Sequence, residues 1–170
     1  MTKTLILLRH LKSDWSDAAL SDRERPLNDR GNAAGPLVRD ALALRCPRPD
    51  VVLCSPARRT RDTLAHVAEG FPEAEARIVP ALYEASRNTL VRLAAELPET
   101  AQTALIVGHN PGLLEFAWHL AEPDALADHP VFLKFPTGGV IAFTLPHDTW
   151  AAAAYGACRV LDSFFPKQLG

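Results

Sequence analysis

The stretch LILLRHLKSDW, Leu5–Trp15, joins an apolar run to an abrupt polar pair, Arg9 and His10. A short run of leucine and isoleucine is typical of a buried β-strand, and the polar pair follows at its carboxyl end. In an open α/β sheet, ligands bind outside the carboxyl ends of the strands. The stretch therefore predicts a buried strand that presents Arg9 and His10 to a ligand.

The length and composition of the chain fit a single domain. Its 170 residues are 48% hydrophobic and 22% charged, which is the ordinary range of globular proteins. A chain of this size buries enough surface to form a full core, so we expect one domain over residues 1–170. The formal net charge of −2 argues against nucleic acid as a partner.

Cysteine usage and hydropathy predict a cytoplasmic protein. The cysteines Cys46, Cys54 and Cys158 are widely spaced and form no CxxC pair, which favours reduced thiols over a disulfide framework or a zinc site. No apolar run reaches the roughly 18 residues that a membrane span requires, and the N-terminus lacks the pattern of a secretory signal. We therefore expect no membrane partner.

Short β-rich segments alternate with helix-like segments along the chain. This alternation predicts an α/β fold, a single-domain three-layer sandwich in which a mostly parallel sheet carries helices on both faces. The predicted strands are Thr4–Leu8, Val51–Cys54, Ala76–Val79, Ala104–Val107, Val140–Leu145 and Ala157–Leu161. The predicted helices are Arg30–Leu44, Pro56–Phe71, Asn88–Leu97 and Pro111–Ala121. The long irregular stretches His10–Asp29 and Glu122–Thr137 are candidate functional loops.

Polar residues follow four of the predicted strands at the edge where ligands bind. These segments are Arg9-His10, Ser55–Thr60, Leu82–Glu84 and Gly108–Gly112. Together they supply imidazoles, guanidiniums and a carboxylate. Arginine forks and helix N-termini bind phosphate oxygens, and a neutral imidazole among them can attack phosphorus. The set therefore indicates a site for a phosphoryl group.

The same residues lie in motifs that resemble those of a known family. The segments RHLKSDW, DRERPLNDRG, SPARRTRDT, LYEA, VGHNPG and FFPKQL are similar, in this order, to SixA-type phosphohistidine phosphatases of the histidine phosphatase superfamily. The resemblance covers nearly the whole chain. It implies a phosphoglycerate mutase-like fold and a phosphatase that hydrolyses protein-borne phosphohistidine through a covalent phosphohistidine intermediate, with no metal or other cofactor.

The resemblance also implies roles for individual residues. His10 matches the phosphorylated nucleophile of the family, and His109 matches the second histidine that faces the same phosphate. Arg9 and Arg59 match the phosphate clamp. One departure is Leu11, where relatives usually carry glycine or alanine, and this difference bears on the shape of the loop after His10.

A second group of residues is expected around this centre. Arg25 resembles an additional phosphate contact, and Asp22 is interpreted as the partner that orients it, because a bare carboxylate beside phosphate would repel the ligand. Asn110, in the VGHNPG motif, is a further candidate substrate-binding residue. Ser13 and Lys12 either line the pocket or tie the loop together.

Glu84 has two interpretations. It follows the third predicted strand, where larger superfamily members supply the carboxylic acid that protonates an oxygen leaving group. It is equally consistent with an exposed residue that begins a helix, where a carboxylate interacts favourably with the N-terminal dipole.

The sequence leaves more than one function open. A small-metabolite phosphatase would use the same residues, whereas a mutase would need a cap, for which the chain has no large insertion. A non-catalytic phosphoprotein-binding module is disfavoured because both His10 and His109 are present. The chain has no HxH or HExxH motif, and neighbouring arginines disfavour a divalent cation. The expected ligands are a phosphorylated protein or a small phosphorylated substrate, and phosphate-like oxyanions.

Overall fold

A six-stranded mixed sheet forms the centre of the computed structural model, which describes residues 2–170. The strands are β1 (Thr4–Arg9), β2 (Val51–Cys54), β3 (Glu75–Ile78), β4 (Thr103–Gly108), β5 (Val140–Thr144) and β6 (Arg159–Phe164). Their order across the sheet is β3-β2-β4-β1-β5-β6. The strands β3, β2, β4 and β1 run parallel, and β5 runs antiparallel to both β1 and β6. The predicted α/β fold with a mostly parallel sheet is confirmed.

Helices cover both faces of this sheet. The longer ones are α1 (Asp29–Arg45), α2 (Arg58–Val67), α3 (Arg87–Ala95) and α4 (Gly112–Leu120). Two one-turn helices, α5 (Ala125–Asp128) and α6 (Val131–Lys134), lie within the stretch that was predicted to be irregular. Within residues 2–170, no helix has both the length and the apolar character needed to cross a bilayer.

The side chains of β1 alternate between two apolar clusters. Leu5 and Leu7 pack with buried residues of α3 and α4, whereas Ile6 and Leu8 pack with those of α1 and α2. Successive side chains of a strand point to opposite faces, so the uninterrupted apolar run supplies both cores at once. This is the physical basis of the predicted three-layer arrangement.

The second helix is shorter than its predicted range of Pro56–Phe71. It begins at Arg58, because Ala57 has non-helical backbone angles and the Thr60 hydroxyl lies 2.8 Å from the carbonyl oxygens of both Ser55 and Ala57, to which it donates. It ends at Val67 and continues as a single 3-10 turn. The shorter helix leaves residues 55–57 as a loop beside the carboxyl end of β2.

The amino end of α1 packs directly against the loop that follows β1. The Asn28 side chain accepts a hydrogen bond from the Gly31 amide at 2.8 Å, and the Asn28 amide donates to the Lys12 carbonyl at 3.0 Å. A Cβ atom on Gly31 would collide with that carbonyl oxygen, so glycine permits this close approach. The contact holds the loop that carries His10.

Candidate active site

The carboxyl ends of β1, β2 and β4 border a cavity of about 290 Å³. These strands are adjacent and parallel, so the segments that follow them meet at one edge of the sheet. The cavity is lined by every residue that the sequence predicted for the site: Arg9, His10, Ser13, Arg25, Arg59, Glu84, His109 and Asn110. Lys12, Trp15 and Thr137 complete the lining.

The His10 ring is held by one hydrogen bond to its own loop. Its Nδ1 lies 2.7 Å from the Leu11 carbonyl oxygen. Because a carbonyl can only accept, Nδ1 carries the proton in the neutral ring and Nε2 carries the lone pair. Burial, and then the neighbouring His109 and Arg9, lower the pKa of His10 to about 3. The ring is therefore neutral near pH 7 and has an available lone pair.

Leu11, the departure from the family pattern, packs into the core. Its side chain is fully buried, and its amide donates to the Thr63 hydroxyl at 2.9 Å. Gly138, which has a positive φ, donates its amide to the carbonyls of Arg9 and His10 at 3.0 Å. A Cβ atom on Gly138 would lie only 3.0 Å from Leu11 Cδ2. The leucine side chain therefore fits beside Gly138. The larger residue at position 11 does not remove His10 from the lining of the active-site cavity.

His109 lies opposite His10, with a distance of 5.4 Å between the ring centroids. Its Nε2 is 2.7 Å from the hydroxyl oxygen of Ser55, which is fully buried. Its Nδ1 is buried and has no hydrogen-bond partner within the described chain. Burial and the charge of Arg59 lower the pKa of His109 to about 4. Sequence reasoning did not assign a role to Ser55, although it opens the SPARRTRDT motif.

Arg9 and Arg59 are each fixed through terminal guanidinium nitrogens, one in Arg9 and both in Arg59. Arg9 Nη1 donates to the Phe135 carbonyl at 3.1 Å, and Arg59 Nη1 donates to the Asp22 carbonyl at 2.7 Å. The Nε–H of each arginine is buried and has no partner among residues 2–170. Burial and the charge of Arg59 lower the pKa of Arg9. Two clustered guanidiniums with spare buried donors suit a polyvalent oxyanion, which would compensate their charge.

Asp22 connects three side chains of the site. Its carboxylate accepts from Arg25 Nη2 at 3.1 Å, from Arg59 Nη2 at 3.0 Å and from the Tyr83 hydroxyl. These contacts, with Tyr83 first, lower the pKa of Asp22 to about 2. Arg25 Nη1 also donates to Ser13 Oγ at 2.8 Å. The contact between Asp22 and Arg25 was expected from the sequence, whereas the contacts with Arg59 and Tyr83 were not.

Replacing Asp22 by asparagine should reduce turnover by roughly tenfold or more, because the variant removes charge-assisted hydrogen bonds to two guanidiniums. We expect the loss mainly in kcat, since removal of a carboxylate near the cavity does not weaken attraction of an anion. Steady-state kinetics with an aryl phosphate measures the effects on kcat and on KM separately. Glu24→Gln, in the same 3-10 turn, is the control. An equal loss in both variants would contradict a positioning role for Asp22.

Glu84 lies in the cavity lining and does not begin a helix. It follows the 3-10 turn Pro80–Leu82 with a φ of 52°, and α3 begins only after its cap, Ser86. A Cβ atom on Gly112 would collide with the Ala85 carbonyl, so this glycine allows α4 to begin against the loop of Glu84. Glu84 is exposed, as the second interpretation expected, but the expectation that it begins a helix is wrong; the general-acid role stays a prediction.

Asn110 connects the cavity to the segment after α6. Its Nδ2 donates to the carbonyls of Lys134 and Phe135 at 3.1 and 3.0 Å, while its Oδ1 is buried without a partner in residues 2–170. The Phe135 carbonyl also accepts from Arg9. Asn110 thus holds the same backbone segment that fixes Arg9, and its predicted contact with substrate stays a prediction.

The protein should lose stability as the pH is lowered from about 6.5 toward 4. Folding lowers the pKa of His10 to about 3 and that of His109 to about 4, whereas histidine in an unfolded chain has a pKa of about 6.5. Between these values the unfolded state binds more protons, so the free energy of unfolding decreases on acidification.

Urea unfolding at about pH 7.5 and about pH 5 measures this decrease. The His109→Asn variant should show a smaller decrease than the wild type, because one of the two buried imidazoles is gone. The same substitution at His147, which is exposed, serves as the control. An unchanged decrease in His109→Asn would show that His109 does not contribute.

The two facing histidines among arginines are suited to a phosphoryl group, and comparisons with known proteins identify the family. Residues 5–111 match the family model of the histidine phosphatase superfamily, branch 1. The chain belongs to this superfamily, is of the SixA type and is a phosphatase. An uncharacterized protein of Mycobacterium tuberculosis is 32% identical to it over 163 residues, which cover 94% of this chain and 100% of that protein.

Solved structures extend the similarity to the whole fold. A protein assigned as the phosphohistidine phosphatase SixA of Nakamurella multipartitia is 28% identical, with a TM-score of 0.83 and coverage of 98% of this chain and 97% of that chain. The corresponding protein of Agrobacterium tumefaciens is 27% identical, with a TM-score of 0.82 and coverage of 96% and 98%. The phosphoglycerate mutase-like α/β fold that the resemblance implied is confirmed.

Proposed function

We propose that this protein hydrolyses phosphohistidine on a protein partner and that His10 is the nucleophile. The observation that carries the proposal is the hydrogen bond from His10 Nδ1 to the Leu11 carbonyl, which leaves the lone pair on Nε2. This ring lines a cavity with three arginines, Arg9, Arg25 and Arg59. A neutral imidazole surrounded by positive charge is well suited to attack a phosphoryl dianion.

The proposed reaction has two displacement steps at phosphorus. In the first, a bond forms between His10 Nε2 and phosphorus as the bond from phosphorus to the substrate imidazole breaks, and the released imidazole takes up a proton from solvent. In the second, water attacks the phosphorus, His10 departs with its lone pair, and one proton of the water is released. Arg9, Arg59 and His109 stabilise the equatorial oxygens in both steps.

The openness of the cavity supports a protein substrate. The cavity is small, and Trp15 at its lining is 75% exposed. A histidine side chain of a partner can reach such a site from outside. Imidazole also leaves phosphorus more readily than an alkoxide does, so the reaction has less need of a strong general acid.

The test compares kcat/KM for a phosphohistidine protein, free phosphohistidine and sugar phosphates. We expect the phosphohistidine protein to be preferred, with activity unchanged by excess EDTA and inhibited by vanadate, which resembles the trigonal-bipyramidal transition state. A clear preference for sugar phosphates would overturn the proposal. It would favour the second candidate, a small-metabolite phosphatase, which the position of Glu84 in the cavity lining supports.

Replacing Glu84 by glutamine separates these two candidates. General acid catalysis contributes on the order of 10²-fold to reactions with poor leaving groups, so we expect alkyl phosphate hydrolysis to fall by about that factor. Phosphohistidine hydrolysis should fall much less. The control is Glu73→Gln, which removes an exposed carboxylate just before β3 and away from the cavity. Equal losses for both substrates would contradict a general-acid role.

A further inference from the structure

A second cavity, of about 330 Å³, adjoins the active-site cavity, and Lys12 and Thr137 line both. Lys12, Arg30, Lys134 and Lys167 supply its charged side chains, and no Asp or Glu of the described chain lines it. We call this second cavity the basic groove. The active-site cavity and the basic groove thus form neighbouring parts of one surface.

The four cations of the basic groove come from distant parts of the chain. Lys12 follows β1, Arg30 lies in the first turn of α1, Lys134 ends α6, and Lys167 lies in a 3-10 turn after β6. All four residues are exposed. None of their side chains forms an ion pair within residues 2–170. In a chain with a net charge of −2, this is a local concentration of uncompensated positive charge.

Between these cations the lining of the basic groove is largely apolar. It includes Ala34, Pro136, Phe165 and Pro166, which are all half-buried. A combination of apolar surface and surrounding cations suits a polypeptide segment that carries both apolar and acidic side chains. Buried donors would instead favour a single inorganic ion, and the four cations here are exposed.

We propose that the basic groove binds an acidic segment of the phosphohistidine protein, beside the phosphorylated residue. This inference rests on the proposed function, because the shared residues Lys12 and Thr137 join the groove to the site of His10. Complementary charge across an interface increases the rate of encounter and the specificity of binding. The groove therefore affects kcat/KM for a protein substrate and leaves the chemical step unchanged.

The experiment uses two synthetic peptides with the same central phosphohistidine and apolar residues. One carries glutamates in its flanks, and the other carries glutamines in their place. They are tested on the wild type and on the double variant Arg30→Glu and Lys167→Glu, whose positions lie outside the active-site cavity. A carboxylate at position 30 is compatible with the first turn of α1, and thermal unfolding verifies that the variant is folded.

Arg159→Glu is the remote charge-reversal control, with half the change in net charge of the double variant. Arg159 is exposed and lies opposite Thr144 in the register between β5 and β6. Thr144 in turn lies opposite Thr4, the first residue of β1. It therefore lies at the edge of the sheet opposite the active site. Its replacement changes the net charge in the same direction at a remote position.

We expect the wild type and the control to prefer the glutamate peptide by about tenfold in kcat/KM, a preference that weakens with added salt. The double variant should lose this preference while it hydrolyses the glutamine peptide and an aryl phosphate normally. Equal use of both peptides by the wild type would overturn the groove proposal and leave the proposed function intact. An equal loss of preference in Arg159→Glu would also overturn it.

Failure of the proposed function gives a different result. In that case the wild type hydrolyses an aryl phosphate but neither peptide, and the groove is tested by fluorescence anisotropy with the unphosphorylated glutamate peptide. Weaker binding to the double variant than to Arg159→Glu supports the groove, and equal binding overturns it.

Discussion

His10→Ala should lower kcat by on the order of 10³ or more and abolish the acid-labile phosphoenzyme. The expected loss is large because the variant removes the only atom proposed to bond with phosphorus, His10 Nε2, whose lone pair is fixed by the contact of Nδ1 with Leu11. Rapid quenching with a labelled phosphohistidine peptide, followed by detection of label on the protein, measures both quantities.

Two further histidine variants test whether the loss of turnover and of phosphoenzyme is specific to His10. His147→Ala, at an exposed position, should behave as the wild type. His109→Ala should slow turnover strongly but leave His10 able to accept the labelled phosphoryl group, because the nucleophile and its hydrogen bond remain. Substantial phosphoenzyme in His10→Ala would exclude His10 as the nucleophile.

Arg59→Lys should lower kcat/KM by about 10²–10³-fold, the range found when one donor to a developing oxyanion is removed. Arg59 is buried, and it donates to both the carbonyl and the carboxylate of Asp22, while its Nε–H has no partner among the residues that the structure describes. A lysine ammonium is a point charge and cannot bind Asp22 and a phosphate in the same forked geometry. Inhibition by vanadate should weaken in parallel with kcat/KM.

Arg58→Lys is the matched control for this substitution. Arg58 is the preceding residue, but it is exposed, and its Nε lies 3.7 Å from the carboxylate of the half-buried Asp62. We expect its replacement to change kcat/KM by less than about twofold, as is usual for exposed ion pairs. Similar losses at both positions would contradict the assignment of Arg59 to the phosphate clamp.

The sequence by itself determined the sheet and the edge at which the site lies. Burial of β1 on both faces requires an apolar run, and its abrupt end at Arg9 and His10 marks the carboxyl edge. Each predicted strand overlaps an observed one, including the fully exposed edge strand β3, because the residue preferences that predict a strand are local to each segment. The motifs then placed Arg59 and His109 at the same edge, where the structure also has them.

The contacts that organise the site were decided only by the tertiary structure. Asp22 and Arg59 form a hydrogen bond although they are 37 positions apart in the sequence, and Ser55 and His109 do so at a separation of 54 positions. Nothing in the local pattern of either residue specifies such a partner, because the contact depends on which loops the sheet order brings together. The protonated nitrogen of His10 was likewise undecided until the Leu11 carbonyl was located.

The same reason explains the start of α2, the position of Glu84 and the basic groove. The start of α2 depends on hydrogen bonds from Thr60 into the preceding loop, and the position of Glu84 depends on how closely Gly112 approaches Ala85. The cations of the groove are scattered through the sequence and become one surface only when α1, α6 and the segment after β6 pack around the loop of Lys12. Residue patterns encode which side chains are buried, whereas contacts between distant loops depend on the assembled fold.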